Sequence, residues 1–241
     1  MITERITHEL RALGSATKAA DLSRFFKTGP GEYGEGDRFL GVPVPDVRRV
    51  ARTHQANTRT DEAGRLLESP LHEVRLCGLL ILVEHYERAK SPAVRAAVAD
   101  FYEAHRHHIN NWDLVDLTAY KILGRETFET NDADRLRRLA ESERMWDKRI
   151  AIVATMHWIR QGHTALAFEL ALRNLTHPHD LMHKANGWLL REAGKRDLIA
   201  LCDFLRTHIE RIPRTTLRYA IERFPAEDRR TFLALGKTNN G

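Results

Sequence analysis

The sequence predicts an all-α protein, an α-α superhelix of degenerate helical pairs forming a curved solenoid with a basic concave face. Three observations predict it. Apolar residues recur with a 3.6-residue period along most of the 241-residue chain. Alternating runs of β-branched residues bounded by tight turns, the mark of strands, are not found. A weak internal repeat puts Arg75, Val115, Arg149, Lys184 and Leu217 at equivalent places, at spacings of 40, 34, 35 and 33 residues.

The helical runs come first. Over residues 71–88 the apolar positions Leu71, Val74, Leu76, Leu79, Leu80, Leu82 and Val83 suit a largely buried helix. Similar runs cover 93–105, 112–123, 145–159, 165–175, 181–193, 198–209 and 217–224. Ser69-Pro70, Ser91-Pro92, His177-Pro178 and Ile212-Pro213 each precede such a run, where proline suits a helix start. Gly124, Gly162 and Gly236 follow runs, where glycine suits a C-terminal cap. The repeat period belongs to HEAT-like pairs of antiparallel helices, whose inner helices line a concave surface. An irregular helical bundle is the competing reading, because the repeats are degenerate. The expected organisation is a single HEAT-like domain over 1–241. It has N-terminal helices over 1–55 and repeats over 60–236.

Residues 27–41 depart from the pattern, with five glycines in 15 positions. Gly29, Gly31 and Gly34 have a GxGxxG-like spacing, but no strand precedes them and no Gly-Lys-Ser/Thr follows. Neither a dinucleotide fingerprint nor a P-loop is supported. The glycine-rich stretch 29–41 reads as an ordered loop, and Val42-Pro-Val-Pro45 leads into the next helix.

Composition narrows the class. Hydrophobic residues make up 42% and charged residues 29%, as in soluble globular proteins. No apolar run approaches the roughly 18 residues that span a bilayer. The N-terminus mixes charges into its apolar positions, unlike a signal peptide. Cys77 and Cys202 both sit among apolar residues, which suggests no disulfide framework or zinc cluster. A cytoplasmic protein is expected. The net charge of +5 divides unevenly: residues 1–134 carry −3, residues 135–230 carry +7, and Lys237 adds one more. A basic back half suits contact with a polyanion, though a solvated arginine-rich surface would look the same.

The densest chemical cluster is Asn111-Trp112-Asp113-Leu114-Val115-Asp116. Trp112 and Asp116 lie four apart and so share one helix face. One repeat later comes Trp146-Asp-Lys148-Arg149, and one more brings Lys184-Ala-Asn-Gly-Trp188-Leu-Leu-Arg191. In the register above, Asp116 follows the reference place by one residue, Arg149 occupies it and Trp188 follows it by four. Inner helices would then present aromatic, carboxylate and guanidinium groups to one concavity. Bland readings stand beside this one. Trp146 and Trp158 suit a core, Asp113 and Asp147 suit helix caps, and Arg149 suits a local ion pair. Among the 13 histidines only His179 and His183 have the i, i+4 spacing of helical metal sites. The His8-Glu9 and His72-Glu73 pairs are not continued through the repeats, and no metal is expected.

These motifs resemble the AlkD-type DNA alkylation-repair glycosylases, a family built from HEAT-like repeats. The resemblance covers nearly the whole chain. It rests on Trp112-Asp-Leu-Val-Asp116, Trp146-Asp-Lys-Arg149, Lys184-Ala-Asn-Gly-Trp188-Leu-Leu-Arg-Glu192 and Phe39-Leu-Gly-Val-Pro-Val-Pro-Asp-Val-Arg48. It implies a nucleoid-associated monomer that wraps duplex DNA and excises N3- and N7-alkylated purines without pulling the base into a pocket. By the resemblance Asp116 matches the catalytic carboxylate. Trp112 and Trp188 match aromatics against the deoxyribose and backbone, and Arg149 matches an arginine on the DNA backbone. Lys148, Lys184 and Arg191 are candidate phosphate contacts beside it. Phe25 stands where some members carry a tyrosine in the first cleft-lining helix, so a hydroxyl contact is absent there. No metal or organic cofactor is implied.

The chemistry explains why so few residues suffice. An alkylated purine is already a cationic leaving group and has little need of a general acid. A fixed carboxylate stabilises the positive charge developing on the sugar and orients a water toward C1′. The alternative is a non-catalytic HEAT-repeat module that binds duplex DNA or a protein partner.

Overall fold

The computed structural model describes residues 1–236; residues 237–241, Lys237 among them, lie outside the described residues. Those described form fifteen α-helices and no strand, with one isolated bridge between Arg38 and Leu71. The chain divides into two compact units, Met1–Glu126 and a second from Thr127 onward.

The first unit is organised round one helix. It contains α1 (Ile2–Ala12), α2 (Ala16–Phe25), α3 (Val44–His54), α4 (Thr60–Leu67), α5 (His72–Arg88), α6 (Pro92–Ala104) and α7 (Trp112–Thr118), and it ends within α8 (Leu123–Glu129). Thirteen of the seventeen residues of α5 are buried, as its apolar run on all sides requires. Helices α1, α3, α4, α6 and α7 pack against it. Close approach of α4 needs Gly78, where a Cβ would lie 2.9 Å from the Ala63 carbonyl oxygen. Ser91 caps α6 by accepting the Val94 N–H at 3.3 Å, just ahead of Pro92.

One helix boundary differs from expectation. The continuous run over 112–123 is broken, because α7 stops at Thr118 and Leu123 opens α8. Gly124 is therefore the second residue of α8, not a cap, and its N–H bonds the Ala119 carbonyl at 2.9 Å. Ala119 and Ile122 stay buried through the turn between the helices. The apolar period thus continues across a break that periodicity alone does not register.

The second unit contains α9 (Ala133–Glu141), α10 (Met145–Arg160), α11 (Ala165–Arg173), α12 (Asp180–Gly194), α13 (Leu198–His208), α14 (Arg214–Ala220) and α15 (Ala226–Leu235). Helix α10 packs on α9, α11 and α12, and α12 packs in turn on α11, α13 and α14. Gly162, at φ +89°, ends α10 in the left-handed region, as expected of a C-terminal glycine. Gly236 also follows its helix, but at φ −78° any residue would serve. The repeat register has a structural counterpart. Arg75, Val115 and Leu217 are the fourth residues of α5, α7 and α14, and Arg149 and Lys184 are the fifth of α10 and α12.

Among the described residues no helix is long and apolar enough to cross a membrane. Charge divides with the units. Residues 1–126 hold 18 basic and 18 acidic side chains, whereas residues 127–241 hold 20 and 15 and so carry the whole net +5.

The α12–α14 contact is the tightest test of this packing. A Cβ on Gly187 would lie 2.6 Å from the Thr216 carbonyl oxygen and 2.4 Å from Tyr219 Cβ. Gly187→Ala is expected to destabilise the second unit by about 1–3 kcal/mol, because backbone must shift to admit the methyl group. A lower urea midpoint with an unchanged m-value would show it; an unchanged midpoint would mean the two helices are not held this close.

Candidate functional site

In the first unit, side chains from four segments enclose a cavity of about 320 Å³. The C-terminal end of α2 contributes Phe25 and Phe26, the segment before α3 gives Phe39, α5 gives His72, and α7 gives Trp112 and Asp116. The i, i+4 spacing thus does what helical geometry dictates, and Trp112 and Asp116 line one cavity. The rings form a connected cluster. Phe26 stacks on Phe39 with centroids 5.1 Å apart and lies 5.2 Å from Trp112, while Phe25 meets Trp112 edge-on at 6.0 Å. Trp112 and Asp116 are half-buried, and Phe25 is 62% exposed.

Behind the rings lies a buried polar network. His72 Nδ1 faces Asp37 Oδ2 at 3.1 Å, and Nε2 faces Asp113 Oδ2 at 2.9 Å. Arg75 donates to Asp37 Oδ1 at 2.6 Å, and Asn111 donates to Asp37 Oδ2 at 3.2 Å. Burial alone would pull the His72 imidazole toward neutrality. The Asp113 charge and the bonds to both carboxylates outweigh that and push its pKa up to about 9. Burial likewise pushes the Asp37 carboxyl up, but the His72 bond and the Arg75 charge win and hold it below the usual range. The charged imidazole is stacked 4.5 Å from Phe39, an arrangement that suits a cation.

One sequence expectation is corrected here. Asp113 lies in the first turn of α7, but it is more than a cap, because it accepts from His72 and is 7% exposed. The next residue of the His72-Glu73 pair is also structural. The Glu73 carboxylate collects the backbone N–H groups of Leu40, Gly41 and Val42 at 2.8, 2.8 and 3.2 Å. Among the described residues no group of three or more His, Cys, Asp or Glu is placed to hold a metal ion. Sequence reasoning missed Asp37, His72 and Arg75 as site-building residues. His72 and Arg75 leave a faint signal, charge at the start of an otherwise apolar helix, whereas Asp37 sits among glycines and other charges and leaves none.

The second unit holds the other candidates. Arg149 is 4% exposed and its Nη1 donates to the Leu181 carbonyl at 2.6 Å, tying α10 to the start of α12. Lys148 Nζ donates to the Ala140 carbonyl at 2.8 Å, and Lys184 pairs with Asp180 at 2.8 Å. Arg191 pairs with Glu192 at 3.3 Å and also with Glu222. Trp188 is half-buried and lines a cleft of about 530 Å³ with Met156, Arg160 and Glu192. Trp158 is a core residue as expected, 7% exposed and bonded to Thr127 Oγ1 at 3.1 Å. Trp146, expected in the core, is only half-buried.

A helical-pair fold with an aromatic cavity and one carboxylate beside an indole defines a class, and comparison with known proteins gives it a family. The profile of a family described as "DNA alkylation repair enzyme" matches residues 6–224. The chain belongs to that family. Among solved structures it is similar to one described as a predicted DNA alkylation repair enzyme from Enterococcus faecalis. The TM-score is 0.69 at 14% sequence identity, covering 88% of this chain and 97% of the other. At that identity the likeness is one of fold. No functionally curated protein matches the chain.

The network makes stability depend on pH with a defined sign. The His72 pKa is raised from 6.5 to about 9 on folding. Its contribution is therefore complete below pH 6.5 and is lost as the pH rises through 9. A shift of that size corresponds to about 3 kcal/mol. Urea midpoints measured from pH 6 to pH 10 should fall across that window, and His72→Gln should flatten the fall. A wild-type profile without slope there would show His72 to be neutral in the folded state.

Proposed function

We propose that this protein is a DNA glycosylase that hydrolyses the N-glycosidic bond of N3- and N7-alkylated purines in duplex DNA. It would open base excision repair without drawing the damaged base into a pocket. The observation that carries this reading is the placement of Asp116 and Trp112 on one face of α7, lining one aromatic cavity. Membership of the alkylation repair family supports it.

The alkylated purine departs with the electrons of its glycosidic bond and leaves as a neutral base. Positive charge then develops on the deoxyribose. The Asp116 carboxylate stabilises that charge and orients a water whose oxygen bonds C1′ while its proton passes to the carboxylate and on to solvent, and the Trp112 ring adds cation–π attraction. Aromatic walls keep the carboxylate in a medium of lower polarity than water, where its field is stronger. Phe25 offers a further apolar surface at the cavity rim. In the second unit, Trp188 presents another indole to the DNA, and Arg149, Lys148, Lys184 and Arg191 meet phosphates. Lys184 and Arg191 give up Asp180 and Glu222 to do so. Such contacts fix register without reading sequence. No metal or organic cofactor enters this scheme.

The test is release of free base from duplex DNA carrying N7-methylguanine or N3-methyladenine. Release above the spontaneous rate is expected, and Asp116→Asn should lower it by about 100-fold or more while DNA affinity changes little. No release at saturating protein would overturn the glycosylase reading and leave a non-catalytic module for duplex DNA or a protein partner.

Arg149→Ala has two expected effects. It removes the bond from Arg149 to the Leu181 carbonyl and the packing of a buried side chain, a loss of about 1–3 kcal/mol in stability. It also weakens DNA binding and flattens the slope of log affinity against log salt by about one. A folded Arg149→Ala protein with an unchanged salt slope would make Arg149 purely structural.

A further inference from the structure

The glycine-rich loop between α2 and α3 is a sequence feature that the proposed reaction does not use. It is a built structure. Gly31 and Gly36 take φ of +76° and +86°, values that side chains other than glycine's rarely adopt. Glu32 accepts the Gly29 N–H at 2.9 Å, and Glu35 accepts the Gly31 N–H at 2.9 Å. Gly34 passes so close to α2 that a Cβ would lie 2.3 Å from the Phe26 carbonyl oxygen. At its far end Asp37 is fixed by His72, Arg75 and Asn111. Between these anchors the loop delivers Tyr33, half-buried, to the edge of the Trp112 indole. Trp112 Nε1 donates to the Tyr33 hydroxyl at 3.3 Å, and that hydroxyl reaches the Phe25 carbonyl at 3.5 Å.

We propose that the loop sets the plane of the Trp112 indole through the Tyr33 hydroxyl, which makes Tyr33 a positioning residue for the reaction assigned to Asp116. The inference rests on that glycosylase reading. A half-buried indole has a broad torsional well about the bond to its ring, so packing against Phe25 and Phe26 leaves its plane loosely defined. A hydrogen bond to Nε1 selects one edge and one plane. Attraction between a ring face and a cation depends on that plane, because the ring's negative potential lies over its faces and not along its edge. Phe25, at the end of α2, has no hydroxyl to offer; the loop brings one from eight residues further along.

The experiment is a double-mutant cycle with a spectroscopic arm. Tyr33→Phe keeps the ring and removes only the hydroxyl. The indole N–H resonance of Trp112, assigned by its disappearance in Trp112→Phe, should move in Tyr33→Phe. It should also move in Gly34→Ala, where the loop is displaced but Tyr33 is intact. Single-turnover base release should fall about three- to tenfold in Tyr33→Phe, with DNA affinity nearly unchanged. In the Trp112→Phe background the same substitution should have no further effect. An unmoved resonance in Tyr33→Phe, or equal rate losses in both backgrounds, would overturn the proposal. If the wild-type protein releases no base, the glycosylase reading fails on its own. The resonance then still decides whether Tyr33 holds Trp112.

Discussion

Two carboxylates facing the two nitrogens of one buried imidazole hold the first unit's site in shape. His72 is the first residue of α5 and Asp113 the second of α7, so their 2.9 Å contact fixes the first turns of two helices against each other. Asp37, on the other nitrogen, closes the glycine-rich loop onto the same point. Trp112 and Asp116 flank Asp113 in sequence, and their directions follow from its own by helical geometry. Glu73, adjacent to His72, binds three successive N–H groups of the segment that follows the loop. Both sides of the loop are therefore tied to one helix terminus. Losing a carboxylate would leave a buried cation poorly compensated, a large penalty wherever water is excluded.

The network also suits its place beside the proposed catalytic cavity. It contains two acidic and two basic groups, Asp37, Asp113, His72 and Arg75, and their charges cancel. These four groups thus support Trp112 without adding net charge of their own. Stacking of His72 on Phe39 and Phe26 lets the same rings serve as cavity lining on one face and cation shelter on the other.

Helices and their pairing were legible because burial imposes a 3.6-residue period, and both α5 and α10 begin within a residue of where that period starts. The shared face of Trp112 and Asp116 was legible for the same reason. The break after Thr118 was not, since Ala119 and Ile122 remain buried and keep the period running. Nor was the network: Asp37 and Asn111 are 74 residues apart, and nothing local in either segment announces the other. Tyr33 was hidden differently. Its loop follows glycine-dependent turns, and those decide where a side chain arrives without leaving any periodic trace.

The second unit shows why a count of cations overstates a phosphate-binding wall. Each of its four candidate cations already has a partner within the unit, so the proposed DNA binding would be an exchange and not a simple gain. For Lys184, whose side chain is 42% exposed, the exchange costs little, because an exposed ion pair is worth about 0–1 kcal/mol. Arg191 is more enclosed at 18%, and its partner Glu222 is half-exposed, so that carboxylate can return to water when a phosphate displaces it. Arg149 differs in kind. One of its partners is the Leu181 carbonyl, fixed at the start of α12, and the guanidinium itself is held at 4% exposure. Under the proposed function, phosphate would meet Arg149 as a held, already oriented donor, whereas Lys184 and Arg191 would exchange carboxylate partners for it. Each phosphate contact, that of Arg149 included, would then add to the salt dependence, and positional register would come mainly from Arg149.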